Sequence, residues 1–172
     1  MRTAITHGLM AVAAAAATAG LLLGAQSLYN ASAVARPLAA AIRAVPGVSR
    51  VQVDGPGGAP VLKIWLTSRA PLATTYERVS ATAAARLGQP PAIQLQSNPD
   101  AAEVKAANFI QFIVAQGQAT GRYVAMDRAV MTTARQSHLA ATFVLRQNTM
   151  YLTLSDGSGS RWLQIAPLRK GE

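Results

Sequence analysis

Cysteine is absent from the 172-residue chain, which removes a thiol nucleophile, a disulfide framework and a thiolate zinc site. Histidine is nearly absent too: His7 lies ahead of a hydrophobic run, and His138 stands alone with no second ligand at a spacing zinc could use. Aromatic residues make up 5% of the chain, too few for the repeated stacking platforms of a single-stranded nucleic-acid binder. Acidic residues number only seven, and each has a structural place to go. Asp54 and Asp156 fall in glycine-rich turns, where they satisfy local backbone groups; Asp100 and Glu103 suit a helix start; Glu77 and Asp127 sit beside Arg78 and Arg128 on helix surfaces; Glu172 is the last residue. No pair of carboxylates is left at a spacing for acid–base work. Also lacking are a G-x-S-x-G elbow, a Ser-x-x-Lys pair and a phosphate-binding G-x-x-x-x-G-K-[ST] loop. Gly157-Ser158-Gly159-Ser160 joins two strands and has no third glycine at dinucleotide spacing, so it reads as a hairpin turn. Together these absences predict a chain that is not an enzyme and holds no cofactor or metal.

What is abundant is apolar and basic. Hydrophobic residues make up 51% and charged ones 13%, the latter about half the usual share, so disorder over most of the length is excluded and a packed core is expected. Sixteen Lys+Arg oppose seven Asp+Glu, giving a formal +9 and a pI near 11.1. Such an excess attracts anions: nucleic acid, acidic lipid headgroups or anionic wall polymers. The cations are nevertheless spread out, at Arg36, Arg43, Arg50, Lys63, Arg69, Arg78 and Arg86, so a solvated basic surface and a true anionic partner both remain open.

Residues 8–25 carry no charge and, as a helix, span roughly 27 Å, just enough to cross a bilayer. A retained single-pass anchor within residues 1–30 is the expected reading. A cleaved signal peptide is its rival, with Arg2 as the positive n-region and Ala31-Ser32-Ala33 as the site before Val34. The positive-inside count ties, Arg2 and the α-amino group against Arg36 and Arg43. A short N-terminal tail ahead of an uncleaved signal-like segment stays inside, which places the body outside the cytoplasm at the cell membrane.

The body reads as α+β in two units. Val34, Leu38, Ile42 and Val45 recur at helical spacing, and Pro46-Gly47 ends that helix. Val51 and Val53, then Leu62, Ile64 and Leu66, alternate on either side of a turn at Asp54-Gly55-Pro56-Gly57-Gly58. Pro71 opens a helix with the stripe Leu72, Tyr76, Val79, Ala83 and Leu87, closed by Gly88 and Pro90-Pro91; a short strand with Ile93 and Leu95 follows. This gives αββαβ over residues 33–96. Ser97-Asn98-Pro99 is the boundary, with Asn98 as the expected cap and Pro99 at the first helical position. The next helix has the stripe Ala102, Ala106, Phe109 and Ile113, broadened by Val104, Ile110, Phe112 and Val114, so burial on more than one side is expected. Gly117 and Gly121 bracket an expected break before a helix presenting Tyr123, Met126, Val130 and Ala134. Strands are expected at residues 143–145, 150–154 and 162–165, giving ααβββ over residues 98–170.

The run Ala44-Val45-Pro46-Gly47-Val48, with its following hairpin and helix, resembles the αββαβ domains of BON modules, of ring-building modules in membrane-spanning assemblies and of KH-like folds. That resemblance implies stacking against copies of itself or a partner. A KH domain carries its G-x-x-G loop between helices, whereas Gly55-Pro56-Gly57-Gly58 lies between strands, so RNA binding of that kind is not implied. In the second unit, Ala119-Thr120-Gly121, Met126, Asn148-Thr149-Met150-Tyr151-Leu152 and Trp162-Leu163 resemble the C-terminal part of uncharacterised single-pass membrane proteins of Firmicutes. This implies bacterial origin, architecture and topology, with no activity attached.

One pair of residues is left over as a candidate site. On the strand of residues 61–66, Lys63 and Trp65 share the face opposite Leu62, Ile64 and Leu66. Either another element covers that face, or it exposes an aromatic–basic patch to a protein partner or a second copy. Tyr151 and Trp162 raise the same question, with core packing expected. The function expected is therefore non-catalytic binding or assembly by a membrane-anchored, extracytoplasmic protein. Its rivals are an envelope module for anionic polymer or lipid, and a small hydrolase whose site the sequence does not reveal.

Overall fold

A computed structural model describes residues 35–55 and 60–168. The segment of residues 8–25, the Ala31-Ser32-Ala33 site, Val34 and most of the first glycine loop lie outside these residues. Among the described residues no helix is long and apolar enough to cross a membrane.

The first unit begins with α1 (Arg36–Arg43), which starts on Pro37 and buries Leu38 and Ile42, one turn apart. The chain reverses at Gly47, whose φ of +95° favours glycine; a Cβ there would sit 2.8 Å from both Ala70 Cβ and Thr75 Oγ1. Strand β1 (Val48–Asp54) pairs antiparallel with β2 (Val61–Leu66), matching Val51 to Ile64, with a bulge between Val48 and Arg50. Helix α2 (Leu72–Leu87) ends on Gly88 at φ +71° and carries the chain over to β3 (Ala92–Gln96), parallel to β2. Sheet A therefore has the order β1-β2-β3, with both outer strands at open edges among the described residues. Its inner face packs Val51, Leu62 and Ile64 against Leu38 and Ile42 of α1 and Val79 and Ala83 of α2.

The second unit is a helical hairpin, α3 (Ala101–Thr120) and α4 (Tyr123–Gln136), followed by the meander β4 (Ala140–Arg146), β5 (Thr149–Ser155) and β6 (Trp162–Pro167). Gln147 and Asn148 turn β4 into β5 at φ +44° and +68°, the positive angles a two-residue hairpin requires. Sheet B is covered on both faces. Met150, Leu152 and Leu154 face Ile110, Val114, Met126 and Val130 of the helices. On the other face Tyr151, Val144, Leu163 and Ile165 meet Leu72, Ala73 and Tyr76 of α2, with the Tyr76 and Tyr151 rings edge-on at 6.0 Å. The layers thus run sheet A, α1 with α2, sheet B, α3 with α4. Tyr151 is a core residue, as expected; Trp162 is partly buried against the cluster formed with the helices.

The structure corrects several expectations. Asp100, not Asn98, caps α3: its Oδ1 accepts from the N–H of Glu103, and Glu103 Oε2 accepts from the N–H of Asp100, a reciprocal capping box. Gly117 does not break α3, which continues to Thr120; glycine is there because Met126 packs so close that a Cβ would lie 2.7 Å from Met126 Cβ. Helix α3 is buried on one side only, through Glu103, Ala106, Ala107, Ile110, Val114 and Gly117. Ala102, Phe109 and Phe112 of the expected stripe are exposed. Asp54 pairs with Lys63 of the neighbouring strand and accepts from Gln52 of its own; the rest of its turn lies outside the described residues. Glu77 reaches Arg146 of the other unit at 3.2 Å.

Candidate interaction surface

The outer face of sheet A is built by alternation. Because Val51, Val53, Leu62 and Ile64 point inward, Arg50, Gln52, Asp54, Lys63 and Trp65 must point outward. Register then sets them in rows: Arg50 opposite Trp65 and Gln96, and Gln52 opposite Lys63 and Gln94. The Arg50 guanidinium stacks on the Trp65 ring, 4.9 Å from its centroid. Ser49 Oγ donates to the Trp65 carbonyl at 3.0 Å, pinning the strand beside the bulge. In the next row Lys63 Nζ lies 2.7 Å from Asp54 Oδ2, while Gln52 Nε2 donates to Asp54 Oδ1 at 2.9 Å. The hydrogen bond from Lys63, and then that from Gln52, holds the Asp54 carboxyl below the ordinary carboxylate range.

Lys63 and Trp65 are therefore brought together on one face, each with a partner on β1. The second unit does not cover them: it docks on α2, from the other side of the sheet. Trp65 is half-buried by its own neighbours, and the face around it is polar and half-exposed. Arg50 was not singled out from sequence, although the same alternation places it on this face; its stacking partner needed the register.

The buried acid of the molecule lies elsewhere. Glu103 is 0% exposed, yet both its oxygens are committed, Oε2 to the N–H of Asp100 and Oε1 to the N–H of Asp156 at 3.3 Å. Burial pushes its carboxyl above the ordinary value, and the Asp100 N–H offsets part of that. Nearby, Arg161 crosses between units: its guanidinium donates to the carbonyls of Ala70 and Thr67 in the β2–α2 loop. Arg161 straps the two units together, while Glu103 ties the start of α3 to the end of β5 within the second. His138 is an exposed residue at φ +56° in the α4–β4 connection. No group of three His, Asp or Glu side chains is close enough to hold a metal ion among the described residues.

No family model, curated protein or solved structure matches this chain.

Proposed function

We propose that this chain is a membrane-tethered, extracytoplasmic binding or assembly protein that works without catalysis. In this reading residues 8–25 form its single spanning helix, and the outer face of sheet A docks a protein partner or a second copy. The observation that carries it is the Arg50–Trp65 stack on a sheet face that the rest of the described chain leaves open. A tryptophan preset by an arginine, ringed by glutamines and an ion pair, has the composition of an interface centre with a polar rim. The Lys63–Asp54 pair neutralises a cation that a polyanion would need, which favours a protein over an anionic polymer at this face.

The test is Trp65→Ala in the full chain, with association followed by crosslinking in membranes and by light scattering in detergent, alongside the melting temperature. Lost association at a nearly unchanged melting temperature is the expected result. A large fall in melting temperature, with no oligomer or partner found for the parent chain, would overturn the reading. A reporter fused after Glu172 should behave as exported; a cytoplasmic signal would reverse the topology.

A further inference from the structure

At the opposite end of the layer stack, the outward surface of the α3–α4 hairpin breaks the usual rule for a helix facing water. Phe112 is 77% exposed, Val124 70% and Phe109 62%. They stand among exposed alanines at 101, 115 and 119 and the polar Asn108 and Gln116, beside a shallow groove of about 230 Å³ between the helices, lined by Ile113, Gly117 and Met126 together with Gln116, Thr120 and Arg122. The exposed charges of this layer are Lys105, Arg122, Arg128 and Arg135. The carboxylates of this layer are less accessible and fewer: Glu103 is buried, and Asp100 and Asp127 are half-buried, which leaves the surface net positive.

Apolar side chains that project from a surface of net positive charge are what an interfacial helix presents to a bilayer. A second copy seated on this face would set four cations against four, a like-charge juxtaposition that opposes association. An anionic bilayer meets both properties, taking the rings into the acyl boundary and the cations among its headgroups. Chain length permits the pose. Residues 26–34, fully extended, reach about 30 Å, and α1 lies two layers, about 20 Å, from the hairpin. From these observations we infer that the outward face of α3 and α4 is a second membrane contact, which lays the body on an anionic bilayer and turns the Trp65 face away from it.

The contact stands apart from the spanning helix proposed above, and one experiment separates the two. Because the chain has no cysteine, a single one can carry an environment-sensitive fluorophore. Phe112→Cys, Val124→Cys and, as a control at an exposed position near the end of α2, Arg86→Cys are labelled in the full chain and reconstituted into vesicles of phosphatidylcholine with phosphatidylglycerol, or of phosphatidylcholine alone. All three sites are exposed, so circular dichroism should be that of the parent. The expected result is a blue shift at 112 and 124 in anionic vesicles, absent at 86, reversed by high salt and much reduced in phosphatidylcholine. Charge reversal at Arg128 should weaken that docking about fivefold or more. Vesicle-bound protein whose label at 112 reads as wet as that at 86 overturns the contact and leaves the tether standing. A shift at 112 on vesicles that salt strips of protein supports the contact and removes the tether. A shift that persists in lipid-free detergent, or fades when protein is diluted at constant lipid, assigns the face to a second copy and overturns the inference.

Discussion

The two three-stranded sheets differ in what covers them. Sheet B is sandwiched, with α3 and α4 on one face and α2 on the other, so its central strand β5 buries Met150, Tyr151, Leu152 and Leu154 in near-continuous sequence. Sheet A is covered once among the described residues, and its central strand β2 alternates, Leu62 and Ile64 inward with Lys63 and Trp65 outward. A strand that alternates has a face to offer; one that does not is committed to the core. In the function proposed above, binding belongs to the first unit and the second is a platform, held to it by Tyr76–Tyr151, Glu77–Arg146 and Arg161.

The comparison breaks most severely at α2, the element that serves both sheets. Val79→Asp places a carboxylate without a partner where the side chain is buried, and should cost about 4 kcal/mol or more. Urea unfolding followed by far-ultraviolet circular dichroism should show both units lost in one transition. A second unit that melts as before would show the strap to be weak.

A smaller effect probes the platform alone. Gly to Ala in a helix interior ordinarily stabilises by about 1 kcal/mol. At Gly117 the sign should reverse, to a loss of about 1–3 kcal/mol, because the new methyl meets Met126 Cβ at 2.7 Å. Gly117→Ala with Met126→Ala, which keeps the Cβ at 126 but removes the Sδ and the Cγ that also crowd the new methyl, should recover part of the loss, measured as a double-mutant cycle of melting temperatures.

Smallest is the pH dependence, where Glu103 and Asp54 should differ in sign. Glu103 has a raised carboxyl, so its contribution to stability is fully present below its ordinary value near 4.5 and lost as pH rises through the folded value. Asp54 has a lowered one, so its contribution is present above the ordinary 3.8 and lost as pH falls through the folded value. Glu103→Gln should flatten the alkaline side of the stability profile above pH 4.5, and Asp54→Asn the acid side below pH 4. An unchanged profile in Glu103→Gln would show that the buried carboxyl titrates as it does in the unfolded chain.

How much of this was legible in the sequence depends on whether polar residues broke the tie between faces. In α1, α2 and β2 they did, and Leu38, Ile42, Val79, Leu62 and Ile64 are core as read. In α3 they did not. Apolar and small residues run all the way round that helix, so the stripe through Ala102 and Phe109 looked as good as the true one through Ala106, Ile110 and Val114. What decides between them is tertiary: the capping carboxylate of Glu103 bridging to Asp156, and the close approach of Met126 at Gly117. The same limit holds for the candidate surface. Alternation places Lys63 and Trp65 on one face, but the Arg50 stack and the Asp54 pair depend on register across a bulge that no local pattern encodes.

The central claim, that the uncovered face of sheet A is where a protein docks, is tested most directly by a photo-reactive side chain in place of Gln94, which is exposed in the row beside Lys63. The variant is used in the full chain in intact membranes, with Arg86, an exposed position near the end of α2, as the control. The account predicts a discrete protein adduct from position 94, absent from position 86 and abolished by Trp65→Ala. No adduct at 94, or equal adducts at both positions, would contradict it.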